Sequence, residues 1–140
     1  MDAQQFECRV YFEDTDAGGV VYNANYLKFY ERARTEFLRA LGYEQDDLLA
    51  QNIVFVVRHI DIDFVQAARF NERLLVETRI EDLKKASLVF SQSIYALGTG
   101  RENESQTRLV NKATIRVVCV SADEFRPTAI PSEIYQVLTQ

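Results

Sequence analysis

Proline and glycine are scarce in this sequence, at two and five of 140 residues. Both prolines, Pro127 and Pro131, fall in the last fourteen residues. A chain so poor in both is neither collagenous, linker-rich nor low-complexity. Two cysteines, Cys8 and Cys119, are too few for a disulfide framework or a zinc site of their own. Their neighbours read as strand, so small buried thiols in a reducing compartment are expected. Positive charge is in deficit: 16 Lys and Arg against 21 Asp and Glu leave a net charge of −5. That balance argues against a nucleic-acid partner, which needs a basic footprint. Long apolar runs are missing too. The longest, Ile53 to Val57, falls far short of the ~20 residues that span a bilayer. Met1 to Gln5 carries no basic segment and no apolar stretch follows it, so no export signal is read and a cytoplasmic location is expected.

What is present matches an ordinary globular domain. Apolar residues make up 47% and charged residues 26%, and the length suits one domain over residues 1–140. Glu7 to Glu13 alternates through Cys8, Val10 and Phe12, which predicts a first strand. Asp14-Thr15-Asp16-Ala17-Gly18-Gly19 has turn composition. From Asn23 to Leu41, Tyr26, Tyr30, Ala33, Phe37 and Leu41 recur at helical steps, and Phe29 and Leu38 widen the stripe. Asn23 or Asn25 is the expected N-cap, and Gly42 sits where a helix ends. Glu44 to Ala50 and Ser132 to Leu138 suggest short helices.

Four strands are expected after the long helix. One runs from Ile53 to Phe64, interrupted by Arg58, and one carries Leu74, Val76, Thr78 and Ile80. The third carries Leu88, Phe90, Ile94 and Ala96, broken by Gln92. The fourth carries Leu109, Ala113, Ile115, Val117 and Cys119, broken by Asn111. Gly98 to Gln106 reads as a polar hairpin loop. Strands in sequence with short connections predict an antiparallel meander, and one helix against it makes an α+β fold. Apolar side chains on both faces at residues 53–57 predict self-association through the sheet.

The chemistry concentrates between Tyr11 and Tyr26. Carboxylates and a Gly-Gly pair precede a helix start, which offers unpaired N–H groups and partial positive charge. Such groups can stabilise an oxyanion, and a nearby carboxylate can attack a carbonyl or activate water. The same residues also make ordinary Asx turns and a helix cap, and the pattern alone leaves both readings open.

The run Asp14-Thr15-Asp16-Ala17-Gly18-Gly19-Val20-Val21-Tyr22, with Tyr26 and Tyr30-Glu31-Arg32-Ala33-Arg34-Thr35-Glu36, resembles the hot-dog-fold acyl-CoA thioesterases of the 4-hydroxybenzoyl-CoA thioesterase type. Within them it is most similar to the YbgC subgroup associated with the Tol-Pal envelope system. The resemblance continues through Phe55-Val56-Val57-Arg58, Ser87-Leu88-Val89-Phe90 and Val117-Val118-Cys119-Val120. It implies a long helix wrapped by a five-stranded antiparallel sheet, and hydrolysis of acyl-CoA without a cofactor or metal. It makes Asp16 the catalytic carboxylate and Asn23 the next catalytic position, where the subgroup commonly carries His. Asn can orient a carbonyl or carboxylate but cannot take up a proton. A thiolate leaving group tolerates that, because thiols have pKa values near ~8.5. The subgroup also often has Tyr where this chain has Phe12. Substrate contacts are expected from Gly19, from the backbone N–H groups of Tyr22 to Ala24, which polarise the thioester carbonyl, and from Arg58. The resemblance further implies a homo-oligomer, a dimer of dimers, with active sites at a subunit interface, and acyl carrier protein as a partner. A binding or scaffold protein with weak turnover is the alternative.

Three other features carry less. His59 has no sequence-local nucleophile, so a structural or interface role is expected. Glu31 and Glu36 read as solvated helix residues or as partners of Arg32, Arg34 or Arg39. Lys84-Lys85, and Arg69 and Arg73, flank turns; they are solvated charge or contacts for the phosphates of CoA.

Overall fold

The structure is a computed structural model that describes residues 2–101 and 107–140. Of the predicted Gly98–Gln106 loop, residues 102–106 lie outside the described residues. Five strands, β1 (Gln4–Arg9), β2 (Ile53–Phe64), β3 (Arg73–Leu83), β4 (Ser87–Gly98) and β5 (Arg108–Ser121), form one sheet in the order β1-β3-β4-β5-β2. Every neighbouring pair is antiparallel. Helices α1 (Tyr26–Ala40), α2 (Gln45–Ala50) and α3 (Ser132–Leu138) complete the fold. This is the α+β arrangement expected from the sequence.

The predicted meander holds only for β3, β4 and β5. The second strand pairs with β5 at the far edge, from Ile53 opposite Ser121 to Phe64 opposite Asn111. The chain reaches β3 by crossing the end of the sheet through residues 65–72, anchored where Val65 and Gln66 both donate to the Val110 carbonyl at 2.9 Å. Sequential strands are neighbours only about two-thirds of the time, and apolar alternation carries no information on pairing order.

Helix α1 covers the sheet with the predicted stripe. Tyr26, Phe29, Tyr30, Ala33, Phe37 and Leu38 are buried, and Phe37 meets the edge of Phe90 at 5.6 Å. Interlocking aromatics at this layer bury large apolar area and prefer edge-to-face geometry. The helix stops as expected. The Tyr43 N–H bonds the Leu38 carbonyl and the Gly42 N–H bonds the Arg39 carbonyl, both at 2.9 Å, with Gly42 at φ +97°.

Gln92 and Asn111, the residues that interrupt the β4 and β5 stripes, face the helix rather than solvent. Gln92 donates to the Tyr30 carbonyl (3.2 Å) and the Thr78 hydroxyl (2.9 Å) and accepts from Arg34 (3.1 Å). Asn111 accepts a hydrogen bond from the Tyr30 hydroxyl. Buried polar groups need partners, so these side chains register α1 on the sheet. Cys8 and Cys119 are free thiols, Cys119 buried and Cys8 half-buried. Burial pushes the Cys8 thiol up to about 11, so it stays protonated at neutral pH.

Candidate active site

The first strand ends sooner than its alternation predicts. It stops at Arg9, and residues 12–14 form a 3-10 turn. Asp14 causes the reversal. It is buried; its Oδ2 accepts from the Tyr11 N–H and its Oδ1 from the Asn25 side chain, both at 2.8 Å. Phe12 is thereby turned out of the core and is 78% exposed, its ring edge-on to Phe70 at 5.9 Å. Asn25 is spent on Asp14, and neither it nor Asn23 caps α1 through its side chain. The predicted helix start at Asn23 is a 3-10 turn over Asn23–Asn25 that leads into α1. Asp14→Ala should cost about 2 kcal/mol of stability, because it leaves the buried Asn25 amide and the half-buried Tyr11 N–H unpaired. Urea titration of wild type and variant measures it, and an unchanged midpoint would show that Asp14 anchors nothing.

Residues 15–21 form a small hairpin beyond Asp14. Thr15 bridges Val21, and the Asp16 N–H bonds the Val20 carbonyl at 2.9 Å. Gly19 sits at φ +79°, and a Cβ on Gly18 would lie 3.2 Å from Asp16 Oδ1. The turn therefore takes Gly at both positions, one for backbone conformation and one for the approach of a carboxylate. Asp16 itself is exposed. Its Oδ1 accepts from the Gly18 N–H at 2.8 Å, an Asx turn, while Oδ2 has no partner among the described residues. One oxygen thus holds the carboxylate in place and the other is free. The Asx-turn reading of Asp16 therefore holds, and the turn leaves one carboxylate oxygen unpartnered among the described residues.

The Tyr22 N–H is donated to the Asp14 carbonyl at 3.0 Å. It is therefore not a free donor, contrary to the expectation that N–H groups from Tyr22 to Ala24 face a ligand. Asn23 and Ala24, which follow it in the 3-10 turn, have no acceptor within that turn. Both side chains are exposed, as is that of Tyr22. The loop is buttressed from residues 67–72: the Val21 N–H bonds the Ala68 carbonyl at 2.9 Å, the Tyr26 hydroxyl accepts from the Ala68 N–H at 3.1 Å, and Val20 bridges Arg69.

Arg69 therefore lies beside the Asp16 hairpin. It lines a groove of about 480 Å³ with Phe70, Glu72, Thr99 and Arg108. Arg108 is neutralised there: its guanidinium makes two bonds to the buried Glu72 carboxylate, at 2.7 and 2.6 Å. Burial alone would push the Glu72 carboxyl up, but the hydrogen bonds from Arg108 and the Arg69 N–H outweigh it and hold the carboxyl below its ordinary range. Sequence reasoning missed this ion pair, since Glu72 and Arg108 lie 36 residues apart with no local pattern linking them.

Lys84 and Lys85 sit at the opposite end of β3 from the hairpin. Eleven residues at ~3.3 Å each put about 35 Å between the two ends. Within one chain, then, the lysines are not brought to Asp16. Arg58 is exposed on the edge strand β2, where the register breaks between Val57 and His59. His59 is exposed opposite Arg116. Among the described residues no group of three or more His, Cys, Asp or Glu side chains could hold a metal ion, and no helix is long and apolar enough to cross a membrane.

A long helix laid against a five-stranded antiparallel sheet is the hot-dog arrangement. Residues 10–138 match the thioesterase-like superfamily, and the chain belongs to that family. It is 44% identical over 130 residues to the acyl-CoA thioesterase YbgC of Haemophilus influenzae, an alignment covering 92% of this chain and 89% of that protein. A probable thioesterase from Bartonella henselae superposes with a TM-score of 0.79 at 36% identity, covering 93% of this chain and all of the other. The 4-hydroxybenzoyl CoA thioesterase of a Pseudomonas strain shares the fold, with a TM-score of 0.86 at 22% identity over 96% of this chain and 98% of that one.

Proposed function

We propose that this chain hydrolyses acyl-CoA thioesters at the hairpin of residues 14–22, with Asp16 as nucleophile or general base. One observation carries the reading: the Asp16 carboxylate is held by one oxygen, while its other oxygen and the nearby Asn23 and Ala24 N–H groups have no partner among the described residues. A thioester carbonyl over Asn23 and Ala24 would find donors for its developing oxyanion. Asn23 orients the carbonyl or the carboxylate, and the thiolate leaves without a general acid. Relatives bearing the acyl-CoA thioesterase name cover about nine-tenths of the chain, which supports the substrate class.

For the phosphates of CoA, Arg69 is the better-placed cation. It lies beside the hairpin and makes no ion pair among the described residues, whereas Arg73 pairs with Glu7 at 3.5 Å. Lys84, Lys85 and Arg58 could serve only a site completed by a neighbouring chain. A second copy is part of the proposal, because Asp16 and Asn23 are open to water in a single chain and electrostatic stabilisation strengthens where water is excluded. The test is release of free thiol from a chain-length panel of acyl-CoAs. Turnover of one or more is expected. Tight acyl-CoA binding with no thiol release would instead favour the scaffold alternative, with acyl carrier protein and the Tol-Pal system as the partners to examine.

A further inference from the structure

Two parts of the candidate site have to be set against each other. Asp16 rides on the hairpin, and the Asn23 and Ala24 N–H groups sit at the entry to α1. Asp14 ties the near arm of the hairpin to that entry, through the Asn25 side chain at 2.8 Å. The far arm, Val20 and Val21, makes no direct hydrogen bond to α1 among the described residues. Yet Asp16 depends on that arm, because the Asp16 N–H is bonded to the Val20 carbonyl at 2.9 Å.

Ala68 closes the gap. Its carbonyl accepts the Val21 N–H at 2.9 Å, and its neighbour Arg69 bridges Val20. Its own N–H is donated to the Tyr26 hydroxyl at 3.1 Å. One residue of the crossing between β2 and β3 thus holds the far arm on one side and the first residue of α1 on the other. Ala68 is fully buried, so water does not replace either bond.

The α1 stripe makes Tyr26 a core residue, and its ring is one. It packs on Phe64 at 6.1 Å and edge-on to Phe29 at 6.3 Å. The stripe does not explain the hydroxyl. A phenylalanine would fill the same space with no polar group to bury. The hydroxyl finds no acceptor for its own proton among the described residues, so the Ala68 bond is the one that fixes it. Burial pushes the phenol above its ordinary range, so the hydroxyl stays neutral.

We propose that the Tyr26 hydroxyl is a positioning group for thioester hydrolysis. Through Ala68 it sets the far arm of the hairpin, and with it the Asp16 carboxylate, against the Asn23 and Ala24 N–H groups. Tyr26 is 3% exposed and closed to substrate; it acts through the backbone of Ala68. Misplacing a reacting group by about 1 Å costs on the order of 10²-fold in rate, so one hydrogen bond at this junction has leverage. The proposal rests on the thioesterase reading of the hairpin.

Tyr26→Phe keeps the ring and removes the bond. For acyl-CoA hydrolysis kcat should fall by about 10–100-fold at nearly constant KM. The double variant with Asp16→Asn should stay within about threefold of Asp16→Asn alone, because placing a carboxylate that is no longer there gains nothing. An effect independent of Asp16 would instead multiply the two losses. Amide hydrogen exchange supplies a readout without turnover. The Val21 and Asp16 amides should exchange at least about tenfold faster in Tyr26→Phe, and those of Ala33 and Phe37 at the wild-type rate. Faster exchange at Ala68 alone would mean that the hydroxyl merely pairs a buried N–H, and would overturn the proposal. So would multiplied losses in the double variant, or a Tyr26→Phe kcat within about threefold of wild type. If Tyr26→Phe does not fold, Ala68→Gly, which keeps both bonds on a looser backbone, should lower kcat and quicken Val21 and Asp16 exchange in the same direction. Wild-type behaviour of Ala68→Gly would then overturn the proposal. A wild type that releases no thiol would sink the thioesterase reading instead, and the exchange rates would still decide whether Tyr26 holds the hairpin.

Discussion

Asp16→Asn is expected to lower kcat for acyl-CoA hydrolysis by about 10²–10⁴-fold, the usual worth of a positioned acid–base group or nucleophile, with the melting temperature unchanged. The structure makes asparagine the informative substitution. Asp16 Oδ1 accepts from the Gly18 N–H at 2.8 Å, and an asparagine carbonyl accepts the same bond, so the Asx turn survives. What is lost is the charge and the free Oδ2, the atom available to attack or to deprotonate water. Asp16→Ala removes the turn bond as well, so any excess loss of stability in Ala over Asn measures the turn alone. KM should move little in the Asn variant, since the residue acts on the reacting carbonyl rather than in uniform binding. If Asp16→Asn retained turnover within about threefold of wild type, the carboxylate would not be the reacting group.

Glu72→Ala should destabilise the protein by about 3 kcal/mol, at the low end for breaking a buried ion pair because Arg108 keeps partial contact with water. Glu72 is 5% exposed and accepts from both Arg108 nitrogens and from the Arg69 N–H at 2.8 Å. Removing it leaves Arg108 uncompensated and frees the turn that carries Arg69 to the hairpin. Activity should therefore fall along with stability. A second signature separates the charge from the packing. The Glu72 carboxyl is held below its ordinary value of 4.5, so the folded state binds this proton less readily than the unfolded state. Its contribution is complete above the unfolded value and is lost as pH falls through the lower folded value. Urea unfolding from about pH 7 to about pH 3 should show this loss in wild type and a shallower slope in Glu72→Gln, which keeps an acceptor without the charge. Superimposable pH profiles would exclude Glu72 as a source of the acid sensitivity.

The elements of the fold were readable because each repeats locally. The α1 stripe from Tyr26 to Phe37 and the alternation of β3, β4 and β5 depend on periods of about 3.6 and 2 residues, which a window of neighbours displays. Even the exceptions were visible, as Gln92 and Asn111 interrupt their stripes; only their partners on α1 were hidden. Phe12 shows the converse. Its alternation with Val10 predicted strand, but the Asp14 side chain reaches back to the Tyr11 N–H and ends the strand first. A side chain that competes for a backbone donor overrides period.

The candidate site divides in the same way. The Asp16 hairpin is contiguous, so the residues that build it, Asp14 to Asn25, stand together in the chain. Arg69 comes to that hairpin only because Val20 bridges it, and Arg69 is placed in turn by a Glu72–Arg108 pair that spans 36 residues. Lys84 and Lys85 offered the same charge in a similar turn, yet they lie at the other end of β3.

The sequence by itself determined the α+β class, the long helix, the family resemblance and the loop that holds the carboxylate. Each of these is written in adjacent residues or short periods. The tertiary structure alone decided that β2 lies beside β5, that the Tyr22 N–H is already spent, that Arg69 rather than Lys84 stands near Asp16, and that Arg34 is buried against Gln92. Those outcomes depend on which distant backbone and side-chain groups compete for the same donors and the same space. That competition is settled only when the sheet closes against α1.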